Sequence, residues 1–327
     1  MPRVVISGSV AFDYLMRFPG DFHDFLPRQH DEPFALSFLV DGMVRRRGGT
    51  APNIAYTLAL LGERPQILAA VGEDFGDYRA WLEEHGVDTT AVRVIPGEHT
   101  AAFFGVTDLR QSQLGIFHPG AMSHARELSL FDLPQRPDIV VVSPEDPETM
   151  RKRVREAKAM GVAFCYDPGQ QVVRLSGDDL REGIAGARAV CFNEFEFGIV
   201  QQKTGWDLAA VRAQADLVVV TKGELGSTVY TDGQVHHIPI APLRHMADPT
   251  GAGDAYRGGF LKGLLLGFDP GVAGRMGAVA AAFCVEARGP QSHTFSWEAF
   301  AARYQEAFGQ PLPQPQPATS QPPTTNY

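Results

Sequence analysis

Between residues 137 and 221 short apolar runs alternate with amphipathic stretches, and this rhythm restricts the fold more than any other feature of the chain. Ile139-Val140-Val141-Val142 reads as a strand, and Pro147 to Met160 as a helix closed by Gly161. Val162 to Tyr166 is the next strand and Leu180 to Ala187 the next helix. Ala189 to Phe192 is again a strand, a helix starts at Glu194, and Leu217 to Val220 is a further strand. Near-continuous apolar strands separated by helices are what a parallel sheet covered on both faces requires. The expected class is α/β, a mostly parallel central sheet with helices on both faces. Asp167, Asn193 and Thr221 stand at the carboxyl ends of three of these strands. Open α/β sheets bind ligands at those ends, so the row of polar residues marks a candidate site.

The first third of the chain is less regular. Val4-Val5-Ile6 is a short buried-strand pattern ended by Ser7-Gly8-Ser9, with Asp13 soon after. Asp13 is either a solvated loop acid or a ligand group at the end of a first strand. Ile67 to Gly72 reads as a strand, and Phe75 to His85 as a helix stopped by Gly86. Residues 14 to 44 break the βα rhythm. Phe34 to Val40 is rich in β-formers before the turn signal Asp41-Gly42, and Thr100 to Thr107 is also strand-like. These two regions predict one small β-sheet set apart from the main one. Arg45-Arg46-Arg47 precedes Gly48-Gly49-Thr50-Ala51-Pro52-Asn53. The arginines are a solvated face or local ion-pair partners. Asn53, at the start of a helix running to Leu61, is either its cap or a hydrogen-bonding group for vicinal hydroxyls.

Asp248-Pro249-Thr250-Gly251-Ala252-Gly253-Asp254 reads as a tight turn feeding a helix through Phe260, Leu261, Leu264 and Leu265. The first amides of a helix lack internal partners and carry partial positive charge, which suits a phosphate. Asp254 has an ordinary explanation, since acids are favoured in a first turn. It also has a chemical one. The amides of Ala252, Gly253 and Asp254 can hold charge on a transferred phosphate while the carboxylate takes a proton from an attacking hydroxyl. An aspartate with a pKa of about 4 is adequate where the proton leaves late in a loose transition state.

Several classes are excluded. A net charge of −9 argues against nucleic acid as the main partner. The three cysteines, Cys165, Cys191 and Cys284, are far apart in apolar runs, which predicts free buried thiols in a reducing cytoplasm. No apolar run reaches the roughly 20 residues needed to span a bilayer, and Met1-Pro2-Arg3 runs straight into a strand. There is no Gly-x-x-x-x-Gly-Lys-Ser/Thr loop and no Gly-x-Gly-x-x-Gly turn between a strand and a helix. His236-His237 lies on a strand without a third ligand nearby and reads as structural. Residues 309 to 327 are rich in Pro, Gln and Thr and predict a disordered tail behind a domain of residues 1 to 308.

The run DPTGAGDAYRGGF closely resembles the C-terminal motif of the ribokinase, or phosphofructokinase-B, family of sugar and nucleoside kinases. GGTAPN resembles the N-terminal glycine motif of that family, and Asn193-Glu194-Phe195-Glu196 its NxxE motif. The stretches SVAFDYLMRFPGDF, LSFLVDG, FHPGAMSHAR, DPGQQVVRLSGDDLR and KTGW resemble its bacterial adenosine kinase branch of the actinobacterial type. Pro52 departs from the pattern, since relatives often carry Gly there, and this puts the helix entry in question.

The resemblance implies a ribokinase-like fold with a β-sheet lid inserted at about 14–44 and 97–118. It implies Asp254 as the catalytic base. Ser9, Asp13, Gly49 and Asn53 would hold a ribose, and Ser37, Phe103 and Phe117 a purine. Gln170, Gln171 and Arg174 would line the site. Asn193 and the segment Thr221, Lys222, Gly223, Glu224, Leu225, Gly226 would contact ATP, with Gly251, Ala252 and Gly253 at its phosphates. Glu196 would act on Mg²⁺ through water. Read bare, Asn193 and Glu196 are a capping pair, the 223–226 segment is a β-turn, and the phenylalanines are core. The resemblance further implies activation by a monovalent cation such as K⁺ near Asp248 and Arg288-Gly289, and a homodimer paired through the lid sheet. The expected reaction is phosphorylation of adenosine to AMP in purine salvage. The alternatives are a sugar kinase, a broad-specificity nucleoside kinase, or a catalytically inert nucleoside-binding homologue.

Overall fold

The computed structural model describes residues 2–25 and 36–314. In chain order the elements are β1 (Val4–Ser7), β2 (Ala11–Arg17), β3 (Gly42–Gly48), α1 (Thr50–Leu60), β4 (Gln66–Val71), α2 (Gly76–Glu84) and β5 (Val92–Val94). Then come β6 (Ala101–Thr107), β7 (Gln113–His118), β8 (Ile139–Val142), α3 (Pro147–Ala159), β9 (Ala163–Tyr166) and α4 (Gly177–Ile184). They are followed by β10 (Ala189–Asn193), α5 (Glu194–Thr204), α6 (Leu208–Arg212), β11 (Val218–Thr221), β12 (Ser227–Tyr230) and β13 (Val235–Ile238). Three helices close the described chain: α7 (Ala252–Leu265), α8 (Pro270–Val285) and α9 (Trp297–Phe308).

The large sheet runs β13-β12-β11-β10-β9-β8-β1-β4-β5. It is parallel from β5 to β11, and the β12–β13 hairpin adds an antiparallel edge. Alternate side chains of its strands feed two cores. Val4, Ile6 and Ile67 pack with Ile54 and Leu58 of α1 and Phe260 and Leu261 of α7. Val5, Val140 and Val142 pack with Met150 and Val154 of α3, Leu180 and Ile184 of α4 and Val200 of α5. A third core joins Val272, Met276 and Val279 of α8 to Phe300 and Tyr304 of α9. The strand order reverses direction where β1 lies between β8 and β4, which opens a crevice at their carboxyl ends.

A second sheet, β3-β2-β6-β7, covers that crevice. Its strands differ from the sequence expectation. Residues 36–40 form no strand, and residues 26–35 lie outside the described residues. The sheet instead starts at Ala11 and ends with β3, so Arg45-Arg46-Arg47 are strand residues. In the described part of this stretch Phe38 packs among aromatic rings, meeting Phe18 and Phe22 edge-on at 5.0 and 5.3 Å.

Helix ends also moved. α4 begins at Gly177 because Ser176 and Asp179 form a reciprocal capping box upstream of the apolar pattern. α6 and α9 were not anticipated. α6 is a single short turn, and α9 is held by a Ser296 cap on Ala299 N and by burial of Phe300 and Tyr304. The expected tail was 309–327, of which 315–327 lie outside the described residues.

Candidate active site

Gly251 precedes α7 in the left-handed conformation, with φ of 81°, and no side chain caps the turn. Pro290 packs against it so closely that a Cβ on Gly251 would lie 2.3 Å from Pro290 Cβ. The Ala252 amide is spent on Pro249 O at 3.2 Å, so it leaves the expected anion cradle. The amides of Gly253 and Asp254 remain for an anion.

Asp254 points inward from the first turn of α7. Asn53 Nδ2 donates to its Oδ2 at 2.8 Å. Asn53 Oδ1 accepts from Gln291 Nε2 at 2.9 Å, and the same amide group donates to the Tyr78 hydroxyl. Tyr78 in turn donates to Gly48 O at 2.9 Å. A buried chain of hydrogen bonds therefore runs from the acid back to the Gly48-Gly49 turn. Asn53 is not a cap: Gly49 occupies that position and Asn53 lies inside the first turn of α1. Pro52 is accommodated in the same turn, where the missing N–H has no intrahelical partner to lose.

Arg257, one turn along α7, supplies positive charge. Its Nη2 donates to Asp167 Oδ1 at 2.8 Å, its Nε faces Asp167 Oδ2, and its Nη1 lies 3.9 Å from Asp254 Oδ1. Burial raises the Asp254 pKa to about 6, against the opposing pull of Arg257 and the Asn53 hydrogen bond and with a further push from Glu196. Gln291 and Tyr78 carried no signal in the sequence beyond their residue types, because they join the chain of bonds to Asp254 from distant parts of the sequence, and the pairing of Arg257 with Asp167 spans 90 residues.

Asp13 comes from the covering sheet. Its carboxylate rests on Gly48, where a Cβ would be 2.4 Å from Oδ2. Burial raises its pKa to about 6, while Arg46 lowers it and the nearby Asp254 raises it. Across the sheet the register sets Arg46, Asp13, Phe103 and Phe117 side by side, hence on one face. Gly105 and Gly115 lie under the Phe103 ring: a Cβ on either would be 2.9 Å from a ring carbon. The ring therefore lies flat along the sheet, and Phe117 beside it is about half exposed.

Ser9 is buried and its Oγ accepts from Thr50 N at 3.2 Å, which serves the N-terminus of α1. Gly49 has φ of 94° and lies against the backbone of Ser9, Val10 and Ala11. Gln170, Gln171 and Arg174 sit in and just after a 3₁₀ turn at Gly169–Val173, beyond β9. Gln171 is buried with Oε1 unpartnered, and Gln170 and Arg174 are exposed. Ser37 is exposed in the coil before β3.

On the other side of α7 lies a cleft of about 460 Å³. Thr221, Gly223, Glu224 and Gly226 form one wall, Ala252 and Gly253 its end, and Ala278, Ala281, Ala282 and Val285 of α8 the other wall. The glycine-rich segment is a 3₁₀ turn rather than a β-turn. Leu225 is mostly exposed, and Lys222 is partly exposed at the start of that turn. Asn193 and Glu196 form a full capping box on α5, each side chain bonded to the other's amide at 2.8 Å. Among the described residues no group of three or more His, Cys, Asp or Glu side chains is arranged to hold a metal ion. All three cysteines are free and buried, and no described helix is long and apolar enough to cross a membrane.

In the loops expected to hold a monovalent cation, several oxygens already have partners. Asp248 Oδ2 is ion-paired to Arg46 Nη1, and Oδ1 accepts from Thr250 N at 3.0 Å. Val285 O accepts from the amides of Ala247 and Asp248, and Gly289 O from Ser292 N.

Comparison with known proteins agrees with this geometry. The pfkB family carbohydrate kinase model matches residues 15–297. A nucleoside kinase of Methanothermobacter thermautotrophicus is 31% identical over 88% of this chain and 90% of its own length. One from Methanocaldococcus jannaschii is 29% identical over 94% and 98%. The structure of Burkholderia thailandensis nucleoside kinase in complex with inosine superposes with a TM-score of 0.85 at 33% identity, covering 94% of this chain and 99% of that one. A Thermotoga maritima ribokinase, 22% identical over 93% of this chain and all of its own, shares the fold with a TM-score of 0.76. These likenesses are broader than the adenosine kinase branch suggested by the sequence. The chain is a member of the pfkB carbohydrate kinase family, a phosphotransferase acting on an alcohol group, with the ribokinase-like fold.

Proposed function

We propose that this protein is an ATP- and Mg²⁺-dependent nucleoside kinase that phosphorylates the 5′-hydroxyl of several nucleosides, adenosine among them. The observation that carries this reading is the row Asp13–Phe103–Phe117, which faces the crevice of Asp254 with an aromatic ring laid flat on two glycines. A sugar kinase needs the acid but has no use for a flat apolar platform. Stacking is tolerant of base identity, because every base has a π-face. Ser37, expected to help hold a purine, is exposed. Broad scope therefore accounts for the site better than adenosine alone. The relatives named nucleoside kinases, one of them bound to inosine, support the same choice.

In this reading the base stacks on Phe103 and Phe117, and Asp13, Asn53 and the Gly49 backbone hold the ribose hydroxyls. The acceptor hydroxyl meets Asp254. ATP occupies the 460 Å³ cleft, with adenine between the α8 alanines and the 223–226 turn. Its terminal phosphate meets the Gly253 and Asp254 amides at the positive end of α7. The O5′–P bond forms as the bond from phosphorus to the ADP oxygen breaks, and the O5′ proton passes to Asp254. The products are a nucleoside monophosphate and ADP.

Mg²⁺ keeps several waters and arrives with the phosphates it neutralises. Bound there, it would neutralise charge across the phosphate oxygens, and buried Glu196 is the carboxylate available to its waters. The covering sheet excludes water that would compete with the 5′-hydroxyl. Its outer face exposes Met43 and Ile116 beside the Tyr14–Phe104 stack, which supports pairing of two chains through this sheet. Free buried cysteines support a cytoplasmic setting.

The test is a coupled assay on adenosine, inosine, guanosine, cytidine, ribose and fructose, run beside Asp254→Asn. Turnover of several nucleosides with little of either sugar is expected, and the variant should lose at least ~10² in kcat. Preference for a free sugar would refute the substrate class, and near-normal turnover by the variant would refute the role of Asp254.

A further inference from the structure

Arg46 is on β3, in the covering sheet, yet its guanidinium is spent on the other domain face. Its stem crosses Gly289, where a Cβ would be 3.3 Å from Arg46 Cδ and 3.6 Å from Nη1. Its Nη1 ends on Asp248 Oδ2 in a largely buried ion pair that spans 202 residues of sequence. Asp248 opens the turn that leads through Gly251 to the Gly253 and Asp254 amides. The guanidinium thus fills the space between the two loops where family resemblance places a monovalent cation.

The oxygen atoms there tell the same story. A K⁺ ion is held by a set of carbonyl and carboxylate oxygens that replace its hydration shell. Here both Asp248 carboxylate oxygens have N–H partners. Val285 O accepts two amides, from Ala247 at 2.9 Å and Asp248 at 3.1 Å. Gly289 O accepts from Ser292 N at 3.3 Å, and Thr250 O from the Cys284 thiol at 3.5 Å. An added cation would meet a fixed positive charge and no spare carboxylate.

We propose that Arg46 is a built-in substitute for the activating monovalent cation, so that this kinase works without one. The proposal rests on the kinase reading for its activity assay but not for its melting assay. Arginine differs from a bound ion in one consequential way: it is covalently part of the covering sheet. It shares a sheet face with Asp13, its cross-strand neighbour, so one side chain ties the nucleoside-facing strand to the turn of the anion cradle. A dissociable ion would leave those two parts independent.

The experiment compares wild type, Arg46→Ala and Arg46→Lys in KCl and in tetramethylammonium chloride of equal ionic strength. Thermal melting and initial rates with Mg·ATP and adenosine or inosine are measured in both salts. Wild type and Arg46→Lys should give the same melting temperature and rate in either salt. Arg46→Ala, with Asp248 left unpaired, should lose activity in tetramethylammonium and regain about tenfold at saturating K⁺, with a rise in melting temperature set by the same linkage. Strong activation of wild type by K⁺, or an Ala variant whose melting temperature is blind to K⁺, would overturn the proposal. If no phosphoryl transfer is detected with any nucleoside, the kinase reading fails while the melting comparison still decides the role of Arg46.

Discussion

Gly49 is where the fold and the site share one atom's worth of space. Its φ of 94° and ψ of 142° lie where a residue with a Cβ is strained by ~1–3 kcal/mol. A Cβ there would also lie 2.4 Å from Ser9 O, 2.7 Å from Ala11 N and 2.8 Å from Val10 Cα. All three neighbours are backbone, so no rotamer can relieve the overlap. Restoring ordinary contact of about 3.5 Å requires the β1–β2 turn and the start of α1 to part by on the order of 1 Å. Overpacking of this kind costs a further ~1–3 kcal/mol.

For Gly49→Ala the sum is roughly 2–6 kcal/mol, or about 4–12 °C of melting temperature at about 2 °C per kcal/mol for a chain of this size. Function suffers separately. Gly49 O accepts the Asn53 amide at 3.2 Å, so Asn53 moves with it and takes the hydrogen bond to Asp254 along. Misplacement of a reacting group by 1 Å costs about 10² in rate. Gly233→Ala is the control, since it has φ of 82° in open space and carries strain without contact. Thermal melts and kcat/KM for a nucleoside are the assays. A Gly49→Ala protein that melts and turns over like Gly233→Ala would refute the close-approach argument.

Three further outcomes follow from the site. Because Asp13 and Asp254 are both raised to about 6, kcat/KM should fall as pH drops below about 6, and the limb belongs to the coupled pair. The stability sign is the reverse. A carboxyl whose pKa is raised by folding stabilises fully below its ordinary value, and that contribution is lost as pH rises through about 6. Asp254→Asn should therefore melt higher than wild type at pH 8 and gain little at pH 4, which paired melts at the two pH values would check. Ala282→Trp fills the 460 Å³ cleft and should raise KM for ATP by at least ~10-fold while leaving KM for nucleoside unchanged, measured by varying each substrate in turn. Arg257→Met leaves Asp167 buried without its counter-charge, at ~3–5 kcal/mol, and moves the acid limb of kcat/KM to higher pH. An unmoved limb would show that Arg257 acts on structure alone.

What the sequence disclosed and what it withheld divide along a physical line. β8 through β11 and their helices were legible because each is a local pattern, an apolar run or a helical period with its own stop signal. The turn of Asp254 was legible because Gly251 is demanded by local backbone geometry, its φ being 81°. Phe34–Val40 misled because β-formers also serve as aromatic packing: Phe38 packs edge-on against Phe18 and Phe22. α9 was missed although it carries local signals, a Ser296 cap, Phe300 and Tyr304 four residues apart and a Gly309 stop, and it packs on α8. Asn53 was ambiguous between cap and ligand. Only the structure shows Gly49 as the cap and Asn53 bonded to Asp254. Arg257, Asp167, Gln291 and Arg46 were unread as partners for the same reason. Their meaning depends on which charges the topology sets beside them.

Those partners account for a feature of Asp254 that residue type alone does not explain. A general base works best with a pKa near the working pH, not at the ordinary aspartate value. One arginine approaches this acid, Arg257, and it gives its close contact to another carboxylate, Asp167. Asp254 is left with Arg257 Nη1 at 3.9 Å and a neutral amide at 2.8 Å. A direct ion pair would hold it well below its ordinary value and blunt its basicity. Complete isolation would protonate it at neutral pH. Partial compensation, set by the carboxylate that absorbs the strongest bonds of Arg257, keeps it near 6 and charged at pH 7. Asp167 thus acts on the chemistry without touching the reacting atoms, by deciding how much positive charge reaches the one carboxylate that does.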